Sequence, residues 1–209
     1  AAPPRLGKGV RLSTHGAPFA PRSASMYSPA FMPAPLSSLE RSIVLVGLMG
    51  AGKSTVGRRL AKRLGVNFVD SDEEIERAAD RSIAEIFEQH GEESFRDGER
   101  RVIARLLEGP PKVIATGGGA FLNPETRALI LKRCIAVWLD ADLEVLAERV
   151  SRRDQRPLLS GKEPLPVLER PASVRNPIYA EAHLRVRSQP APHERAVDRI
   201  IAALAEWQA

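Results

Sequence analysis

The sequence predicts an α/β protein: a five-stranded, mostly parallel sheet covered on both faces by helices, in three layers. Three observations lead there. From Arg41 onward, short apolar runs of strand length alternate with stretches of helical periodicity. Strand followed by helix in steady alternation means parallel strands with crossover helices on either face. Between the first strand and the first helix lies Gly47-Leu48-Met49-Gly50-Ala51-Gly52-Lys53-Ser54, which fits G-x-x-x-x-G-K-[ST] at every fixed position.

The elements follow in order. Ile43 to Val46 is a buried strand ending at Gly47. Ser54 to Leu64 has helical spacing, with Val56, Leu60 and Leu64 on one side and Gly65 as its stop. Phe68 and Val69 form a short second strand. Ile75 to Ala79 and Ile83 to His90 read as helices, the latter ended by Gly91. Ser94 to Leu107 is a longer helix that buries Val102, Ile103, Leu106 and Leu107, with Gly98 lowering its propensity. Val113 to Ala115 is the third strand, and a helix beginning near Pro124 leads to the fourth, Ile135 to Leu139. Leu143 to Val150 is helical, Leu184 to Val186 is the fifth strand, and His193 to Trp207 is the last helix.

The first 40 residues differ from this pattern. Seven prolines interspersed with Ala, Ser and Gly leave no visible period, so residues 1–40 are expected to be a disordered tail and 41–209 the folded domain. An acid-poor segment with Arg and Ser also has the composition of an organelle transit peptide, and Met26 and Met32 are candidate starts. Deleting residues 1–39 should leave kinetics and melting temperature nearly unchanged. A large fall in melting temperature would show that the tail packs on the domain.

The tail also explains the net charge of +5. Arg5, Lys8, Arg11 and Arg22, with no acid among residues 1–39, account for +4, which leaves about +1 for the rest. A near-neutral domain argues against a nucleic-acid partner. No apolar run approaches the roughly 20 residues of a membrane span, so no membrane partner is expected. The one cysteine, Cys134, forms no intramolecular disulfide and builds no zinc site alone; beside the apolar run that it precedes, it reads as a packing residue. That usage agrees with a reducing compartment, and the chain is expected to be cytoplasmic and monomeric.

Ligands of such sheets bind at the carboxyl ends of the strands, so the residues just after each strand are the informative ones. After the first strand, the glycines turn backbone N–H groups toward phosphate oxygens and the helix amino terminus adds favourable potential. Gly50, Ala51, Gly52, Lys53, Ser54 and Thr55 are thus candidate ATP-binding residues, with Lys53 reaching the β- and γ-phosphates and Ser54 binding Mg²⁺. After the second strand comes Asp70-Ser71-Asp72. Two carboxylates at a strand end suit a metal and a substrate hydroxyl; equally, Asp72 suits a cap for the helix starting near Glu73. After the third comes Thr116-Gly117-Gly118-Gly119, either a flexible loop or bare backbone on which a small ligand packs closely. Three arginines stand in distinctive surroundings: Arg96 beside Phe95, Arg156 before Pro157-Leu158-Leu159, and Arg175 before Asn176-Pro177-Ile178-Tyr179.

Taken together, GLMGAGKST (47–55), DSD (70–72), SFR (94–96), TGGGA (116–120), RPLL (156–159) and RNPIY (175–179) resemble the shikimate kinases, bacterial ones most closely, across residues 42–207. The resemblance implies a P-loop kinase fold with a mobile lid over about 156–175. It implies transfer of the ATP γ-phosphoryl group to the 3-hydroxyl of shikimate, with shikimate and ATP as partners and Mg²⁺ as cofactor. By the same resemblance Asp72 contacts the substrate hydroxyls as catalytic base, and Asp70 is linked to Mg²⁺ through water. Arg96 and Arg175 clamp the carboxylate, and Gly117, Gly118 and Gly119 complete the pocket. Arg156 reaches the ATP phosphates with Lys53, and Arg149 lies against adenine. In this device Asp72 accepts its proton late and requires no shifted pKa. A gluconate kinase or an inert module of the same fold are the rival readings; the first has no need of DSD, FR and GGG together, and the second would have lost Lys53, Asp72 or an arginine. Pro171, four residues before Arg175, departs from the expected helix leading into RNPIY. Either the helix starts near Pro171 or the lid runs differently.

Overall fold

The computed structural model describes residues 39–151, 164–188 and 192–208. The expected disordered tail, Arg156 and the first half of the expected lid lie outside them.

Five strands, β1 (Ile43–Val46), β2 (Asn67–Asp70), β3 (Lys112–Ala115), β4 (Ile135–Ala141) and β5 (Leu184–Ser188), form one sheet in the order β2-β3-β1-β4-β5. Every pairing is parallel, with Val44 beside both Ile114 and Ala136. All four residues of β1 are fully buried, because helices cover both faces of the central strand. At the edge, β5 alternates instead, with Val186 buried and Arg185 and Arg187 turned outward to Asp140 and Asp142. Charged side chains there keep the open edge from pairing with another chain.

Among the described residues the helices are α1 (Lys53–Leu64), α2 (Ser71–Ala79), α3 (Ile83–Leu106), α4 (Pro124–Arg133), α5 (Leu143–Ser151), α6 (Pro164–Tyr179) and, after the last strand, α7 (His193–Gln208). The chain leaves β1 for the far edge at β2, returns beside β1 at β3, and then crosses to β1's other side at β4. The order therefore reverses at β1, and the crevice at its carboxyl end is where such sheets bind ligands.

One helical expectation holds and one changes. Gly91 ends the first arm of α3: with φ 75° and ψ 175° it breaks the helical backbone, and a second arm continues beyond the kink. A small apolar cluster, Ile75, Ile86 and Phe95 with Phe87, packs α2 against both arms of α3, and the Phe87 and Phe95 rings lie 4.5 Å apart. That packing sets the residue after Phe95, Arg96. In α6, the helix starts seven residues before Pro171 and carries both Pro171 and Pro177 inside it. Each interior proline costs about 3 kcal/mol. Burial of Leu168, Ala172 and Tyr179 in the main core offsets this, at roughly 2 to 3 kcal/mol for each large side chain. The described part of the expected lid is therefore helix.

Cys134 is 1% exposed and its thiol is pushed up to about 11, chiefly by burial, so it packs and does not react.

Candidate active site

The loop after β1 closes on itself through Ala51 N donating to Leu48 O. Gly52, the residue before α1, has φ 90°, a conformation that disfavours any side chain, and Gly50 has φ 80°. Lys53 opens α1 and its ammonium donates to the carbonyls of Gly47 and Leu48 at 2.8 and 3.0 Å. The next residue, Ser54, donates from Oγ to Asp70 Oδ2 at 2.6 Å, joining the loop to the end of β2.

Asp70, not Asp72, caps α2. Its backbone is extended and its Oδ1 accepts from Asp72 N at 3.1 Å. The capping alternative for Asp72 is thereby removed, and its carboxylate is left facing the crevice. Burial first, then the neighbouring Asp70 and Glu99, push Asp72 up to about 6, with Lys53 acting in the opposite direction. The mechanism requires no shifted pKa, yet three carboxylates sharing one half-dry site raise that of Asp72.

At two of the glycines after β3 a side chain would crowd charged groups of the crevice. A methyl on Gly117 would sit 2.6 Å from Asp72 Oδ1, and one on Gly119 would sit 2.6 Å from Arg96 Cζ. One on Gly118 would come within 3.6 Å of Arg175 Nη1. The loop thus brings DSD, Arg96 and Arg175 together, and Ser71 Oγ accepts from Gly117 N at 3.2 Å to hold it.

Arg96 donates from Nη1 to Glu99 Oε2 at 2.8 Å and also pairs with Glu92. Burial opposes its charge, and the Glu99 and Glu92 carboxylates outweigh that, so its pKa is raised. Glu99 itself is 2% exposed and its pKa is raised by burial against the pull of Arg96. Arg149 lines the far end of the crevice, and its Nη1 donates to Ser188 Oγ at 3.1 Å. Burial lowers its pKa.

A crevice of about 510 Å³ runs across these groups from Arg149, past Thr55 and Lys53, to Asp72 and Gly118, a volume within the range of small-molecule sites. Oxygen donors side by side, the Ser54 hydroxyl and the Asp70 carboxylate, suit Mg²⁺, which keeps several waters and takes one or two carboxylates plus substrate phosphates. It needs no cluster of three acidic or imidazole side chains, and none occurs among the described residues.

The family model described as shikimate kinase matches residues 49–205. The chain belongs to the shikimate kinase family. The shikimate kinase of Caulobacter vibrioides is 60% identical over 169 residues, spanning 81% of this chain and 84% of that one. That of Rhodopseudomonas palustris is 54% identical, spanning 80% and 83%. Among solved structures, the shikimate kinase from Acinetobacter baumannii in complex with shikimate superposes with a TM-score of 0.75 at 37% identity, covering 81% of this chain and 95% of that one. A gluconokinase from Sinorhizobium meliloti is similar with a TM-score of 0.54 at 21% identity, a likeness of fold alone. As a shikimate kinase family member, the chain is a phosphoryl-transferring enzyme.

Three residues of this shikimate kinase site escape the sequence reading. Glu99 lies three residues after Arg96, a spacing that places both on one helix face and was the available signal. His193 lines the crevice beside Gly52 and opens α7, the first element after β5. Tyr179 lies inside the RNPIY motif, where the arginine alone received a role. Arg156 lies outside the described residues.

Proposed function

We propose that residues 41–209 transfer the γ-phosphoryl group of ATP to the 3-hydroxyl of shikimate, giving shikimate 3-phosphate and ADP. The observation that carries this is the meeting of the phosphate loop with Asp72, Arg96 and Arg175 around one glycine turn. Gly50, Ala51, Gly52 and Thr55 cradle the phosphates of ATP, and Arg149 lies against the base. Arg96 and Arg175 fork onto the substrate carboxylate, which turns one hydroxyl toward Asp72 and in line with the γ-phosphate. Asp72 takes the hydroxyl proton as the new O–P bond forms and ADP leaves. Lys53 and Arg156 hold the negative charge of the transferring group. Ser54 and Asp70 would hold Mg²⁺, which supplies charge neutralisation at the phosphates when bound.

ADP production measured against a panel of hydroxy acids, gluconate included, tests the assignment. Turnover with shikimate well above the others is expected; equal or greater turnover with gluconate would sink it.

Arg96→Ala should raise the KM for shikimate roughly tenfold to a hundredfold, since a hydrogen bond to a charged group is worth about 1.5 to 3 kcal/mol. The KM for ATP should stay nearly unchanged. Arg96→Lys should recover only part, because it keeps the charge and loses the planar fork. Steady-state kinetics with shikimate and with its neutral carboxamide decide the matter. An equal loss for acid and amide would make Arg96 a structural partner of Glu99 and nothing more.

A further inference from the structure

Arg175 and Tyr179 stand one helical turn apart on α6, and the tyrosine ring is fully buried, 6.5 Å from Phe121 and 6.2 Å from Trp138. Its hydroxyl donates to the Gly118 carbonyl, in the glycine turn of the site. The Arg175 guanidinium lies beside the same oxygen and acts on it by charge and hydrogen bonding, and its Nη1 comes within 3.6 Å of where a methyl on Gly118 would lie. A phenol has one proton to give and lone pairs to receive, so its oxygen can donate to Gly118 while accepting from Arg175. Trp138, on the other side of the ring, comes within 3.4 Å of where a methyl on Gly47 would lie, so the packing continues to the phosphate loop.

We propose that Tyr179 is a positioning residue for the substrate carboxylate, its hydroxyl fixing Arg175 to the glycine turn without taking up the arginine's charge. This rests on the reading of Arg175 as half of a carboxylate clamp. The two arginines of that clamp are held in opposite ways. Arg96 is fixed by carboxylates, Glu99 at 2.8 Å and Glu92 at 3.2 Å, which spend much of its charge. Arg175 is fixed by a neutral oxygen, and among the described residues no carboxylate lies within ion-pair distance of it. Burial pushes the phenol up to about 12, so it stays neutral throughout the working pH range. A phenol at this place can hold Arg175 without neutralising it, whereas Arg96 is held through ion pairs.

The test is Tyr179→Phe, alone and combined with Arg175→Ala, in the full chain. The ring and its packing remain, and only the bond to Gly118 and Arg175 is removed. The KM for shikimate should rise about tenfold, the value of one hydrogen bond to a charged group. The KM for ATP and the kcat should stay within about twofold. In the double variant the KM for shikimate should be no higher than in Arg175→Ala alone, because a tyrosine that acts through Arg175 has nothing left to position. An unchanged KM in Tyr179→Phe, or losses that multiply in the double variant, would overturn the proposal. So would a Tyr179→Phe protein that no longer binds ATP in an equilibrium titration, which would assign the hydroxyl to the core. If wild-type protein phosphorylates another hydroxy acid in place of shikimate, the substrate reading fails and the same comparison is made with that acid. Inactivity on every acid would overturn both.

Discussion

Asp72→Asn should lower kcat by about 10² to 10⁴, the range expected when a positioned general base is removed, and should at the same time raise the melting temperature. The two effects have one origin. Burial and the neighbouring Asp70 and Glu99 push the Asp72 carboxyl up to about 6, so the folded chain holds it ionised at neutral pH only at a cost. The sign follows from comparing the two states. The unfolded carboxyl ionises near 4 and the folded one near 6, so folding favours the protonated form. The cost is absent below pH 4, grows between pH 4 and 6, and above pH 6 reaches roughly 3 kcal/mol. An amide cannot ionise and avoids it, which should raise the melting temperature by several degrees at pH 7.5. Wild-type kcat/KM should fall as pH drops through about 6, and Asp72→Asn should lose that limb. Steady-state rates and thermal melts from pH 5 to 8 measure both. A variant that keeps its rate would remove the catalytic base; one that loses rate and stability together would make Asp72 a structural residue.

Lys53→Ala should reduce kcat/KM about a thousandfold, because removing one preorganised donor to the transition-state charge costs roughly 10² to 10³ and here the donor carries a full charge. The ammonium donates to the carbonyls of Gly47 and Leu48, so the side chain also braces the loop that it serves. Two bonds from a half-buried cation are worth a few kcal/mol, and the melting temperature should drop by some degrees without loss of the fold. A coupled assay of ADP release, with circular dichroism as the control for folding, reads the two effects separately. Activity within tenfold of wild type would remove the phosphate-loop assignment.

Much of the site was legible because its chemistry is local. Gly47 to Ser54 is a continuous motif whose backbone conformation follows from its own glycines, and the strand and helix on either side are readable from periodicity. The same holds for the sheet: apolar runs such as Ile43 to Val46 have no polar alternation because both faces are covered, and that reads directly as a central parallel strand. Most boundaries moved by a residue or two, as helix ends do, and α2 starts four residues before Ile75. The α6 start was missed for a different reason. Four prolines in sixteen residues, two of them interior, argue against a helix on propensity, and only the burial of Leu168, Ala172 and Tyr179 outweighs them.

By itself, then, the sequence determined the fold class and the phosphate-loop motif, since those depend on residue type and order along the chain. Tertiary structure alone decided that Asp70 caps α2 while Asp72 faces the crevice. It also decided that burial and nearby carboxylates raise the Asp72 pKa, that Glu99 braces Arg96 and that Tyr179 donates to the Gly118 carbonyl. Each of these depends on distance and burial between residues far apart in the chain, from Asp72 to Gly117 and from Gly118 to Tyr179. Electrostatic energy varies with separation in space and with the water excluded around it, and neither quantity is written in sequence spacing.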